Sequence, residues 1–287
     1  MIVARTIPRI RQAVAEARSA GKSVGLVPTM GALHAGHFSL IEAASRRCGF
    51  AVVSIYVNPI QFGPAEDLAK YPSTPEADLA GCESRGVSAV LLPATEEIYP
   101  RPCRTIVDVP DLGRNLCGAS RLGHFQGVCT VVAKLLNIVQ PDVAYFGAKD
   151  FQQVTILRRM AADLNFPVVI EVAPTVREVD GLAMSSRNAY LSAEHRRQAP
   201  ALWRSLQMAA KMVAEKRPLA AGVVEAIEAY LAEHAPSGVV DYIEAVDPDE
   251  LSPVENTDGR LLIALAVRFG GARLIDNVLV DSASPGS

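Results

Sequence analysis

Two histidines, His34 and His37, stand three residues apart at the end of the segment Thr29-Met-Gly-Ala-Leu-His-Ala-Gly-His37. The segment follows a short apolar run, 23–28, and precedes a helical stretch, 38–47. A strand–turn–helix passage leaves backbone N–H groups unpaired and partial positive charge at the helix start, which is a ready anion site. Histidines three apart share one face of the first helical turn. Gly31 and Gly36 let a ligand approach the backbone closely. The chemistry that fits is binding of a nucleoside triphosphate. The competing readings are a plain surface turn and a zinc pair, and the second lacks the Glu of HExxH and an evident third ligand.

Three further segments carry binding chemistry. Gly147-Ala-Lys149-Asp150, followed by Gln153, lies just after the apolar run 143–146. A lysine there meets phosphate as a point charge, while Asp150 could instead cap the next helix. Tyr56-Val-Asn58-Pro-Ile-Gln61-Phe62 follows the run 50–57. Asn58 and Gln61 are neutral two-sided hydrogen bonders among apolar neighbours, which suits a small hydroxy acid with an apolar body. The plain alternative is a loop amide satisfying its own backbone. Asp180-Gly-Leu-Ala-Met-Ser-Ser-Arg-Asn188 offers Ser185, Ser186 and Arg187 to phosphate oxygens, or is an ordinary polar linker. The stretch 116–128 (LCGASRLGHFQGV) carries Arg121 and His124 and reads as a lid or merely a connection, a direct role being open to Arg121 before His124. His195 and His234 read as structural or solvated. Gly21-Lys22-Ser23 imitates the end of a P-loop, but Glu16 stands where that pattern needs glycine, and the segment precedes a strand.

These segments need a scaffold. Helical periodicity is expected over 8–20, 38–47, 75–85, 127–139 and 150–164, alternating with buried strands over 23–28, 50–57, 88–92, 143–146 and 167–172. That alternation implies a parallel sheet covered on both faces, an α/β domain. The pattern changes near residue 175. Two helices, 192–216 and 219–234, then precede strands 239–246, 260–268 and 272–280, the last two joined by a tight turn at Gly270-Gly271. The expected division is 1–175 and 176–287, with the polar loop 180–188 at the junction. The tail after residue 281 reads as disordered.

Composition bounds the function classes. The 287 residues are 49% hydrophobic and 21% charged, with 28 Lys+Arg against 31 Asp+Glu, a net charge of −3. That balance fills a globular core and leaves no basic excess for nucleic acid. No apolar run approaches the ~20 residues that span a bilayer, and the N-terminus has no signal-peptide pattern. The five cysteines (Cys48, Cys82, Cys103, Cys117, Cys129) contain no CxxC pair, so a reducing cytoplasm is expected and neither a disulfide framework nor a zinc-cysteine cluster is.

Taken together, PTMGALHAGH (28–37), YVNPIQF (56–62), RLGHFQGV (121–128), YFGAKDFQQ (145–153) and DGLAMSSRN (180–188) resemble the pantoate–β-alanine ligase (pantothenate synthetase) family. The segments occur in the family's order. The HxGH element alone would indicate only the wider nucleotidyltransferase superfamily. One departure is Leu122, where the family has proline before Gly-His-Phe. The resemblance implies a Rossmann-like sheet domain with a smaller C-terminal α+β lid domain, usually as a homodimer. It implies joining of pantoate and β-alanine with ATP and Mg2+, through a pantoyl-adenylate, giving pantothenate, AMP and pyrophosphate. By the same likeness Met30, Gly31, Ala32, Leu33, His34, Ala35, Gly36, His37, Gly147, Ala148, Lys149, Asp150, Val176, Met184, Ser185, Ser186 and Arg187 would touch ATP. Gln61 and Gln153 would hold pantoate, with Gln61 also near β-alanine, joined by Asn58 and Arg121. His34, His37, Lys149 and Arg187 would carry the catalysis. The rival classes are a nucleotidyltransferase acting on another small acceptor, a non-catalytic ATP sensor and a metallohydrolase.

Overall fold

The computed structural model describes residues 1–64, 66–100 and 104–281. Cys103 and the tail expected to be disordered lie outside the described residues. The strands are β1 (Ile2–Ala4), β2 (Val24–Thr29), β3 (Phe50–Ile55), β4 (Ala89–Leu91), β5 (Val143–Gly147), β6 (Val169–Ala173), β7 (Val239–Val246), β8 (Arg260–Phe269) and β9 (Ala272–Asp281). The helices are α1 (Ile7–Ser19), α2 (Ala35–Arg47), α3 (Pro75–Glu83), α4 (Thr95–Ile98), α5 (Cys117–Ser120), α6 (His124–Val139), α7 (Phe151–Asp163), α8 (Ala193–Gln198), α9 (Ala201–Lys216) and α10 (Ala220–His234). The chain divides into two compact units: 1–113, 121–148 and 156–174 form the first, and 114–120, 149–155 and 175 onward form the second.

The first unit is a six-stranded parallel sheet in the order β1-β4-β3-β2-β5-β6. Leaving aside the edge strand β1, this is the 3-2-1-4-5 order of a Rossmann-like sheet, as expected. All six residues of β3 and five of six in β2 are buried, which is why these runs lack alternation. The order reverses at β2. Its ladder with β3 continues to Thr29 and Ile55, whereas its ladder with β5 stops at Leu26 and Ala144. The sheet therefore opens a crevice at the carboxyl end of β2, where Met30 begins.

The second unit contains an antiparallel sheet, β7-β8-β9, packed on α9 and α10. Leu202, Leu206 and Val213 of α9 and Val223, Ile227 and Leu231 of α10 bury against Ile263, Leu265 and Val267 of β8. The β8–β9 hairpin turns at Gly270-Gly271, as expected, with Gly270 at φ +57°.

Several local features differ from expectation. β1 pairs with β4 (Ile2 with Ala89), but three residues are too short to show a period. The stretch 192–216 is two helices, because Pro200 has no N–H to continue the ladder. α2 starts at Ala35 and α6 at His124, each three residues early. His34 is not among the residues that usually announce a helix start, and Gly123, at φ +78°, caps without a side-chain hydrogen bond, so neither start was marked by one of the usual capping side chains.

Candidate active site

The turn after β2 is held by a carboxylate from another element. Asp78, in the first turn of α3, is 2% exposed. Its Oδ2 accepts the Ala32 N–H at 2.9 Å and its Oδ1 the Leu33 N–H at 2.8 Å, with the Thr74 hydroxyl donating at 3.1 Å. This clamp holds Ala32 in the left-handed region at φ +49°, beside Gly31 at +85°. A Cβ on residue 31 would stand 3.1 Å from Asp78 Oδ2, so glycine serves both the turn and the close approach. Sequence reasoning missed Asp78. An acidic residue in a helix's first turn is ordinary, and nothing local shows that this one is buried.

The histidines lock one another. His34 is the N-cap of α2, and its Nδ1 accepts the Gly36 N–H at 3.1 Å. His37 Nδ1 accepts the His34 N–H at 3.4 Å, and the ring centroids lie 4.1 Å apart. The arrangement is a capping box built from imidazoles. With each Nδ1 accepting, the neutral rings carry their hydrogens on Nε2. Two N–H donors thus accompany the helix N-terminus.

Asn58 and Gln61 share one buried network, at 1% and 8% exposure. Asn58 Nδ2 donates to Gln61 Oε1 and to the Gly127 carbonyl, both at 3.0 Å, and Asn58 Oδ1 accepts from the Tyr99 hydroxyl at 2.9 Å. The Gln61 amide nitrogen lies 3.0 Å from Met30 Sδ, which brings two expected site segments together within the first unit. Arg121 makes a two-pronged ion pair with Glu66 at 2.6 and 2.7 Å, and its Nη1 lies 2.8 Å from His124 Nε2. His124 Nδ1 reaches the Gln61 carbonyl at 2.8 Å. Burial pushes the Glu66 carboxyl up, but the Arg121 guanidinium prevails and holds it below the usual carboxylate range. Leu122 is 88% exposed, so leucine in place of proline costs no packing.

In the second unit, Lys149 and Asp150 end a 3-10 turn, 148–150, at the start of α7. The Lys149 carbonyl accepts from Asn277 Nδ2 of β9 at 2.8 Å. Gln153 is half-buried in α7, while its neighbour Gln152 is buried and structural, accepting the Cys117 N–H and donating to the Asn115 carbonyl.

The loop 176–188 is a small hairpin rather than a slack linker. The Met184 N–H donates to the Val176 carbonyl, and Arg177 pairs with Ala183. Arg177 forks onto Asp276 of β9 at 2.6 and 2.9 Å and stacks 3.4 Å over the Trp203 ring. Arg196 holds Glu178 and Asp180. The hydrogen bond from Arg196 lowers the Asp180 carboxyl below its ordinary value. Ser185 caps the 3-10 turn that carries Ser186 and Arg187. Asp276, Asn277 and Trp203 lie in the third of the chain that carries no family motif, so no sequence signal marked them.

Other chemistries find little support among the described residues. No three His, Cys, Asp or Glu converge as a metal group. Cys48, Cys82, Cys117 and Cys129 are buried thiols. Burial pushes Cys82 up to about 11 and Cys129 to about 12, far from a reactive thiolate.

Comparison with known proteins identifies the family. A sequence model of the family described as pantoate-beta-alanine ligase matches residues 2–279. The pantothenate synthetase of Moorella thermoacetica is 50% identical over 281 residues, 98% of this chain and 99% of that protein. The crystal structure of pantothenate synthetase from Thermus thermophilus superposes with a TM-score of 0.91 at 44% identity, covering 97% of this chain and 99% of that one. A pantoate-beta-alanine ligase from Francisella tularensis, solved with β-γ ATP and β-alanine, has a TM-score of 0.78 at 32% identity, covering 97% of each chain.

Proposed function

The chain belongs to the pantoate–β-alanine ligase family and is an ATP-dependent ligase that makes pantothenate from pantoate and β-alanine; we propose that it does so in two half-reactions, with the residues in the roles given below. In the first, a pantoate carboxylate oxygen attacks the α-phosphorus of ATP, and pyrophosphate leaves with the electron pair of the broken P–O bond. The carboxylate is already ionised at neutral pH, so no general base is needed. The difficulty is charge, since one anion attacks another, and catalysis comes from positioning and electrostatic stabilisation. His37 donates through Nε2 to phosphate oxygens in the transition state, and His34 anchors the triphosphate. Lys149 and Arg187 counter its charge. In the second half-reaction, the free amine of β-alanine attacks the acyl carbon, the bond from that carbon to the phosphate oxygen breaks, AMP departs with its electron pair, and the amine's surplus proton is released to solvent.

Within the first unit, the loop from Met30 to His37 meets ATP with its backbone and imidazole donors, joined by Gly147 and Ala148. Within the second, Lys149, Asp150, Val176, Met184, Ser185, Ser186 and Arg187 contact the nucleotide. Pantoate is held by Gln61, Asn58 and Gln153. Because the Arg121 guanidinium is engaged by Glu66 and His124, Arg121 shapes this part of the site from behind. Magnesium enters with ATP and supplies positive charge to the triphosphate. Among the described residues no group of three or more His, Cys, Asp or Glu is placed to hold a metal ion. The proposal extends to a homodimer in the cytoplasm and to a division between a substrate-binding domain, 1–175, and a lid domain, 176–287. No helix among the described residues is long and apolar enough to cross a membrane.

The observation that carries the nucleotide assignment is the interlocked His34/His37 pair at the reversal point of the sheet. The uncharged Asn58/Gln61 pair disfavours a phosphorylated acceptor. The deciding experiment is pantoate-dependent exchange of labelled pyrophosphate into ATP, with magnesium and without β-alanine. Exchange is expected. Its absence, with pantothenate still formed when β-alanine is added, would replace the stepwise adenylate with a concerted reaction.

A further inference from the structure

We propose that His124 is a positioning residue for pantoate recognition: clamped between the Arg121 guanidinium and the Gln61 carbonyl, its imidazole fixes the turn from which the Gln61 amide projects. The inference rests on the reading of Gln61 as a pantoate ligand.

Gln61 ends a single 3-10 turn, Pro59–Gln61. The turn's own hydrogen bonds are long, 3.4 Å from the Gln61 N–H to the Asn58 carbonyl and 3.3 Å from the Phe62 N–H to the Pro59 carbonyl. Such a turn does little to hold itself, and the first turn of α6 does it instead. A Cβ on Gly127 would stand 2.5 Å from Gln61 Cα and from the Ile60 carbonyl oxygen, so helix and turn meet backbone to backbone. The Gly127 carbonyl takes the Asn58 amide at 3.0 Å, and His124 Nδ1 takes the Gln61 carbonyl at 2.8 Å.

The imidazole is itself oriented. Its Nε2 faces Arg121 Nη1 at 2.8 Å, and a guanidinium only donates. Nε2 must therefore accept, which puts the ring hydrogen on Nδ1, where the Gln61 carbonyl requires a donor. Arg121 is kept in place by its fork onto Glu66. The result is a one-way chain, Glu66–Arg121–His124–Gln61. It ends at the backbone of the residue whose side-chain amide lies between Asn58 and Met30.

Two amide replacements separate the ring's two contacts. Asn places an N–H near the Nδ1 position and drops the Nε2 contact, whereas Gln places an acceptor near the Nε2 position and drops the bond to Gln61. We expect His124→Gln to raise the pantoate KM about tenfold or more with the ATP KM changed less than about twofold, and His124→Asn to raise the pantoate KM less than about threefold. Equal effects of the two replacements, or parallel changes in both KM values, would overturn the inference. Gln61→Ala, assayed alongside, separates the two readings. If it raises the pantoate KM while His124→Gln does not, the inference alone fails; if it leaves the pantoate KM unchanged, the role of Gln61 fails and takes the inference with it.

Discussion

An imidazole that accepts at Nδ1 has only Nε2 left to donate, and His34 and His37 are both held that way by backbone N–H groups. The donors are thus set before any ligand arrives, which is the preorganisation that electrostatic catalysis needs. In the proposed mechanism Lys149 belongs to the same scheme: its backbone is pinned by Asn277, and its ammonium is a point charge offered to phosphate. Lys149→Ala is expected to cut kcat/KM by several orders of magnitude. A loss below about tenfold, ~1.4 kcal/mol, would remove it from transition-state stabilisation. Single-turnover adenylation would show the same loss, because the role lies in the first half-reaction. At this scale the sequence offered candidate site side chains, His124 among them, but not the contacts that hold the site together. Asp78, Asn277 and His124 act through backbone groups, and no motif records which carbonyl or N–H a distant side chain will find.

At the scale of elements, the site turn is a product of α3 as much as of β2 and α2. One carboxylate satisfies two consecutive N–H groups, Ala32 and Leu33, beside a non-glycine residue at positive φ. Asp78→Asn keeps the size but turns one acceptor into a donor facing an N–H. The expected cost is about 1–3 kcal/mol of stability, that of a buried unsatisfied donor, read as a lower urea midpoint. The ATP KM should rise more than the pantoate KM, because the disturbed turn leads into His34. A variant of ordinary stability with unchanged ATP KM would show that the turn holds without the clamp. The 176–188 hairpin follows the same logic: Arg177, stacked on Trp203 and forked onto Asp276, supports the segment carrying Arg187.

At the scale of the whole molecule, three ion-paired carboxyls contribute to the acid sensitivity of the fold. Glu66 is lowered by Arg121 against its burial, Asp180 by the hydrogen bond from Arg196, and Asp241 by Arg273 against its burial. Carboxyls held below their unfolded values contribute stability that is fully present above those values, near 4 for Asp and Glu. That stability is lost as pH falls through the lower folded values, because the unfolded chain then binds more protons. Calorimetry from pH 7 to 3 should show Tm falling mainly below about pH 4, and Asp241→Asn should make the fall shallower. Identical slopes for both proteins would place the acid-sensitive groups elsewhere.

Buried strand runs alternating with amphipathic helices determined the parallel sheet from the sequence alone, since strands covered on both faces must be continuously apolar. The strand-end motifs followed, because turns after parallel strands must carry their own ligating residues on consecutive positions. The order of the sheet was not written locally. The early stop of the β2–β5 ladder at Leu26 opens the crevice beside β2, and it depends on pairing between segments far apart in sequence. The supports of the site were decided only by tertiary structure for the same reason. Asp78 is 45 residues from Leu33, His124 is 63 from Gln61 and Asn277 is 128 from Lys149. A hydrogen bond across such distances is specified by how the elements pack, and no local spacing encodes it.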